Sequence, residues 1–243
     1  MRTLSALLIS AFLILAAFAQ AQDAPKSKAE VEQIVREYLL KHPEVILEAV
    51  SKYQENQRAD EKKKAQQSIS TNHQQLVADP ASPAAGSTAP DAVTVVEFFD
   101  YRCGYCKRMA PTIAKFVNAS KARIVYKELP ILGPDSIVAA KAALAARKQG
   151  DVYTKFHQDL MALEGTITMA SIEKVATRNN LDFAKLKADM DAPEIQAQIS
   201  ATQKLAESIG VNATPSFVIG NDLYTGAMDE QELQSNIAKV QKR

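Results

Sequence analysis

Two cysteines stand three residues apart in Cys103-Gly104-Tyr105-Cys106, and the chain of 243 residues has no others. At that spacing on the first turn of a helix, the two thiols are neighbours across one turn. The first would meet the free N–H groups and the positive end of the helix dipole, both of which stabilise a thiolate. The second, one turn further in, would be more buried and hold its proton more tightly. That asymmetry suits dithiol–disulfide exchange, in which the outer thiolate attacks a disulfide and the inner thiol resolves the mixed disulfide. No acid lies between the cysteines to oppose ionisation, and Arg102 and Lys107 flank them. A structural bridge over so short a loop would gain little chain entropy. A zinc site needs further ligands, and His42, His73 and His157 stand at no ligand spacing from the pair, so no metal site is expected. Two thiolates alone can hold a soft ion such as Cu(I), and a copper-binding or chaperone module is the alternative outside enzymology.

The elements that must position these thiols follow from periodicity. Residues 93–99, Val-Thr-Val-Val-Glu-Phe-Phe, read as a buried strand, and Met109, Ile113, Phe116 and Val117 recur at helical spacing behind the cysteines. A second strand covers 123–128. Residues 136–209 read as helices almost throughout, with Gly150 as a left-handed stop and a long last helix from Pro193 to a stop at Gly210. Strand 216–219, a Gly220-Asn221-Asp222 turn and 223–225 form a hairpin. Asp229 with Glu232 caps a final helix. Upstream, Leu76-Val77 reads as a short strand before a Pro/Gly-punctuated Ala/Ser connection.

The N-terminal quarter has a different character. Arg2, an apolar run from Leu4 to Phe18 and Ala19-Gln20-Ala21 form a secretory signal pattern over 1–21, too short for a comfortable membrane span. An uncleaved anchor helix is the alternative. Ser27-Lys28-Ala29-Glu30 is a capping box, followed by Val31, Ile34, Val35, Tyr38 and Leu39 at helical spacing. Pro43 opens a second helix with Ile46, Ala49, Val50 and Tyr53 on one stripe. Residues 54–75 are almost wholly polar, which a core helix cannot be. The extension 22–75 is therefore a solvated helical stalk or a frayed linker, or its apolar stripe pairs with copies of itself to make a homo-oligomer. The chain carries 29 Lys and Arg against 28 Asp and Glu. That balance excludes electrostatic capture of nucleic acid or anionic lipid. A 47% hydrophobic composition with 8 Gly and 10 Pro is that of a globular protein. Two cysteines are too few for a disulfide scaffold. Export would place the thiols in an oxidising space.

The segment 98–111, Phe-Phe-Asp-Tyr-Arg-Cys-Gly-Tyr-Cys-Lys-Arg-Met-Ala-Pro, resembles the active-site stretch of DsbA-like thioredoxin-fold disulfide oxidoreductases. Within that class the chain is most similar to the ScsC type (suppressor of copper sensitivity family), which also carries an N-terminal helical extension. The resemblance implies an α/β thioredoxin fold: a central mixed sheet flanked by helices, in a domain over 76–243, with an inserted helical domain at 136–209. It implies that Cys103 attacks, Cys106 resolves and Gly104-Tyr105 faces substrate. Thr214-Pro215 resembles the class's cis-proline site, where the Thr214 backbone would pair with an extended substrate strand; an ordinary trans proline at a strand start is the alternative. Pro111 matches a helix-kinking proline, a structural feature. Glu97 matches the buried acid of the class, whose pKa burial would raise, fitting it to carry the proton of Cys106; a carboxylate reaching out to the sheet end is the alternative. Gly-Tyr departs from the Pro-His of strongly oxidising members and, with Thr before the proline, is similar to the dimeric disulfide isomerases. The implied activity is isomerisation or reduction of disulfides in cysteine-containing periplasmic proteins, without a cofactor. A membrane redox partner would reset the dithiol. A dithiol oxidase is the alternative.

Overall fold

The structure, a computed structural model, describes residues 27–119 and 122–242. The signal pattern over 1–21 lies outside them. The chain divides into two compact units, the first ending at Arg58 and the second running Ala59–Arg243.

In the first unit α1 (Lys28–Lys41) starts at the expected capping box: the Ser27 hydroxyl accepts from the Glu30 amide, and the Glu30 carboxylate accepts from the Ser27 amide. Pro43 precedes α2 (Glu44–Thr71) directly. Val31, Ile34, Val35, Tyr38, Ile46, Leu47, Val50 and Tyr53 all stand exposed.

The second unit is built on a five-stranded sheet ordered β1-β3-β2-β4-β5, from β1 (Ala84–Gly86), β2 (Val93–Phe99), β3 (Ala122–Glu128), β4 (Ser216–Ile219) and β5 (Asp222–Thr225). β2 and β3 run parallel and the other pairs antiparallel. The parallel pair needs a crossover, which α4 (Gly104–Ala119) supplies. Between β3 and β4 come α5 (Pro134–Ala146), α6 (Tyr153–Met161), α7 (Met169–Arg178), α8 (Phe183–Asp189) and α9 (Pro193–Ser208); α10 (Glu230–Gln241) closes the fold behind the Asp229 capping box. This is the mixed sheet with flanking helices and a helical insertion expected from the sequence.

Alternation along the strands sends side chains to two faces. Val95, Phe99, Ile124, Tyr126, Phe217 and Ile219 pack with Cys106, Met109 and Ile113 of α4 and with the insertion. Val96, Phe98, Val125 and Val218 form the second core with Leu205, Ile209, Ile69 and Leu76. The last two correct the sequence reading. Leu76-Val77 is not a strand but the end of α3 (His73–Val77), and the polar segment 54–75 is not wholly solvated, because Ile69 is completely buried. Single apolar residues in a polar helix carry no stripe, yet each such burial is worth about 1.5–3 kcal/mol. Lys127, on the same face and 2% exposed, ties this region down. Its ammonium donates to the Gln75 carbonyl at 2.6 Å and the Ser82 hydroxyl at 2.7 Å, and pairs with Asp79 at 3.3 Å. Two smaller differences follow. The Ala/Ser-rich connection holds β1, paired with β3, and Gly150 has φ 127° and ψ −168° after a 3-10 turn rather than a left-handed helical stop.

Candidate active site

Strand β2 ends at Phe99, and the four residues after it set the cysteine geometry. Asp100, 1% exposed, holds this loop together. One carboxylate oxygen accepts from the Arg102 amide and the Ser136 hydroxyl, each at 2.7 Å, and the other from the Ile131 and Leu132 amides at 2.9 and 3.0 Å. The Asp100 carbonyl accepts from the Cys103 amide at 3.1 Å. A charged acceptor saturated by four donors is a strong local anchor. It joins the cysteine loop to the loop after β3. Gly133 in that second loop has φ 130°, and a β-carbon there would lie 2.8 Å from the Arg102 guanidinium.

Cys103 immediately precedes α4, and Cys106 lies in its first turn. The thiols are unbridged. The Cys106 amide donates to the Cys103 sulfur at 3.4 Å, so a helix N-terminus does face the first thiol. The Cys103 thiol in turn donates to the Thr214 carbonyl at 3.1 Å. Cys103 is 6% exposed, less open than a helix-tip position suggested, while Cys106 is wholly buried. Burial pushes the Cys106 thiol far above the usual cysteine range. The flanking cations do not serve the thiolate as the sequence suggested. Arg102 turns to the Leu132 carbonyl at 2.9 Å and to Asp135 at 3.1 Å, and Lys107 donates to the Leu163 carbonyl. Gly104 and Tyr105 are exposed, with the Arg108 guanidinium 4.3 Å above the Tyr105 ring.

Topology brings the proline to the thiols. β4 pairs antiparallel with β2, so Ser216 opposite Phe98 puts the residues before β4 beside the end of β2. The Thr214–Pro215 bond is cis. Thr214 is half-buried, and its amide has no hydrogen-bond partner among the described residues.

Glu97 lies inside the sheet opposite Tyr126 and Phe217, 2% exposed, with its Oε2 unpartnered. It does not reach out to the sheet end. Burial raises its pKa to about 8, so it is neutral at pH 7, and once ionised it lies near enough to Cys106 to raise that thiol electrostatically. Two groups escaped the sequence reading: Asp100, whose partners Ile131, Leu132 and Ser136 lie more than thirty residues away, and a buried polar cluster around Glu128. Their signal was an acid on the last residue of one strand and an acid just past the end of the other.

Residues 94–238 match the DSBA-like thioredoxin domain, and residues 28–60 match the copper resistance protein ScsC N-terminal domain. A thioredoxin-like oxidoreductase from Silicibacter pomeroyi superposes with a TM-score of 0.67 at 41% identity, over 71% of this chain and 99% of that one. Proteus mirabilis ScsC in a transitional conformation gives 0.65 at 29% identity, over 88% and 97%. The thiol:disulfide interchange protein DsbA of Bordetella parapertussis is 26% identical over 151 residues, 59% of this chain and 71% of that protein. The match to the Na(+)/H(+) antiporter NhaA 3 of Salinispora tropica, 27% identical, spans 60% of this chain but only 22% of the antiporter. Among the described residues no helix is long and apolar enough to cross a membrane.

Proposed function

Since the chain belongs to the DsbA-like thioredoxin family and is a thiol–disulfide oxidoreductase of the DsbA/ScsC type, we propose that it isomerises or reduces disulfides in exported, cysteine-containing proteins. The observation that carries this reading is the pairing of unlike thiols at one helix tip. Cys103 has an amide on its sulfur and a sliver of surface, and Cys106 is sealed beneath it. Cys103 attacks a client disulfide. Cys106 then attacks Cys103 to release the client, or the client rearranges to another pairing while attached. Glu97 takes the Cys106 proton during resolution. The Thr214 amide, beside the sulfur, is open to an extended client backbone, and Gly104-Tyr105 borders the approach. A membrane redox partner in the periplasm resets the dithiol, and the exposed stripe on the first two helices assembles copies of the chain.

Refolding of a scrambled multi-disulfide protein tests this. The full chain should restore activity to the scrambled protein, and Cys103→Ala should abolish the effect. Cys106→Ala should instead accumulate mixed disulfides with clients, visible as reducible bands. A chain that only introduces disulfides into a reduced client, leaving scrambled ones untouched, would favour the oxidase. Trapping no client with Cys106→Ala would remove the enzyme reading.

A further inference from the structure

On the sheet face that carries the cysteine helix, a second buried carboxyl stands one strand over from Glu97. In the parallel β2–β3 register Glu97 lies opposite Tyr126 and Phe99 opposite Glu128. Residues two apart on a strand share a face, so all four belong to the same one. Glu128 is 2% exposed. Its Oε1 accepts from the Tyr153 hydroxyl at 2.7 Å and the Tyr101 hydroxyl at 3.2 Å, and its Oε2 is unpartnered. The Tyr101 hydroxyl also meets Nδ1 of His157 at 3.0 Å. That imidazole is packed against Phe99, Tyr126 and Tyr153, with ring centroids at 4.7, 4.8 and 5.8 Å. Tyr101 stands two residues before Cys103.

The ionisable groups acting on Glu128 are Glu97 on β2, Asp100 and Tyr101 just after it, and Tyr153 on α6; Tyr126 on β3 and His157 on α6 pack against these tyrosines. None is a lysine or arginine. His157 is neutral, because burial drives its pKa down to about 3. Two carboxyls in an apolar wall with no cation between them cannot both ionise cheaply.

We infer that Glu128 is a second acid of the exchange site, a positioning residue that holds the segment leading to Cys103 through Tyr101 and whose charge governs how readily Glu97 accepts the proton of Cys106. This rests on the exchange reading above. In the step concerned, the Cys106 thiol gives its proton to the Glu97 carboxylate, and its sulfur attacks the Cys103 sulfur. The bond from Cys103 to the client sulfur breaks as the Cys103–Cys106 bond forms. The client leaves as a thiolate holding the electron pair, so the protein's dithiol is oxidised, the client is reduced, and no further oxidant enters. Only the carboxylate form of Glu97 can act. Burial holds Glu97 and Glu128 each at about 8, and a negative charge on Glu128 raises the cost of one on Glu97.

A mixed disulfide between Cys103 and a small chromogenic thiol, made on the full chain, reports this step. Release of the chromophore by Cys106 is followed from about pH 6 to pH 10. The rate should rise with pH, and in Glu128→Gln the rising limb should move toward acid by about half to one pH unit, as loss of a neighbouring like charge requires. Tyr153→Phe removes a donor to the Glu128 carboxylate, keeps that acid neutral to higher pH, and should move the limb the same way by less. A folded Glu128→Gln protein, judged by circular dichroism and melting, whose profile superposes on that of the unaltered chain overturns the inference. If Glu128→Gln does not fold, a superposed profile in Tyr153→Phe overturns it instead. An unaltered chain that releases no chromophore at any pH sinks the exchange reading itself.

Discussion

Glu97 shows at one residue how burial becomes reactivity. Its carboxyl sits between two strands with an unpartnered oxygen, and desolvation alone lifts its pKa to about 8 from 4.5. The folded chain therefore keeps this proton between pH 4.5 and about 8, where the unfolded chain has lost it. Stability from this group is complete below pH 4.5 and falls as pH rises to about 8, by roughly 1.4 kcal/mol per unit. In Glu97→Gln the decline should be shallower, read as urea midpoints at two pH values in that window. The same variant should slow release of a mixed disulfide by about 10²–10⁴-fold, the usual worth of a positioned proton acceptor. An equal slope in both proteins would mean that Glu97 is ionised in the folded chain. The type and place of this acid were legible in the sequence. The fate of Arg102 and Lys107 was not, because their partners Leu132, Asp135 and Leu163 reach the cysteine loop only through the fold.

At the scale of elements, the far side of the sheet depends on residues that precede the first strand. Ile69 and Leu76 are fully buried against Val96, Phe98 and Val125, and Lys127 fixes the turn that follows them. Leu76→Ala should cost about 2–5 kcal/mol in denaturant unfolding, as deletion of buried methyls does. A chain beginning near Pro90 loses both residues and β1. It should unfold far more readily than one beginning at Ala59, whereas a thioredoxin-like domain confined to the later residues would make the two equal. Helix α6 should respond to acid. His157 is buried neutral with a pKa near 3, so the stability it contributes is present above pH 6.5 and is lost as pH falls toward 3. His157→Phe should blunt this acid loss, as followed by thermal melting. Strands and long helices were readable from their periods. The role of α3 was hidden, because two apolar residues seven apart in a polar run make no pattern until a sheet lies against them.

For the whole molecule the open question is how many dithiols act together. The exposed apolar stripe from Val31 to Tyr53 has the spacing of a helix face meant for another surface. If copies pair there, several active sites surround one client, and attachment at the first raises the effective concentration at the next. Light scattering should then give an oligomer for residues 22–243 and a monomer for 59–243. Ile34→Glu should dissociate the former and lower the rate of disulfide reshuffling while leaving single-site chromophore release unchanged. A monomer at both lengths would end the assembly proposal.

What the amino-acid order determined by itself was local. It set two thiols one helical turn apart, a strand before them, the capped helix starts, and an acid inside an apolar run. These depend on neighbours within a few residues, which a single pass along the chain contains. Only the tertiary structure decided that the Thr214 carbonyl meets Cys103, that Asp100 clamps two distant loops, and that Glu128 and Glu97 share one apolar wall. Each of these needs strands far apart in the chain to lie side by side, and their chemistry comes from the water that such packing excludes.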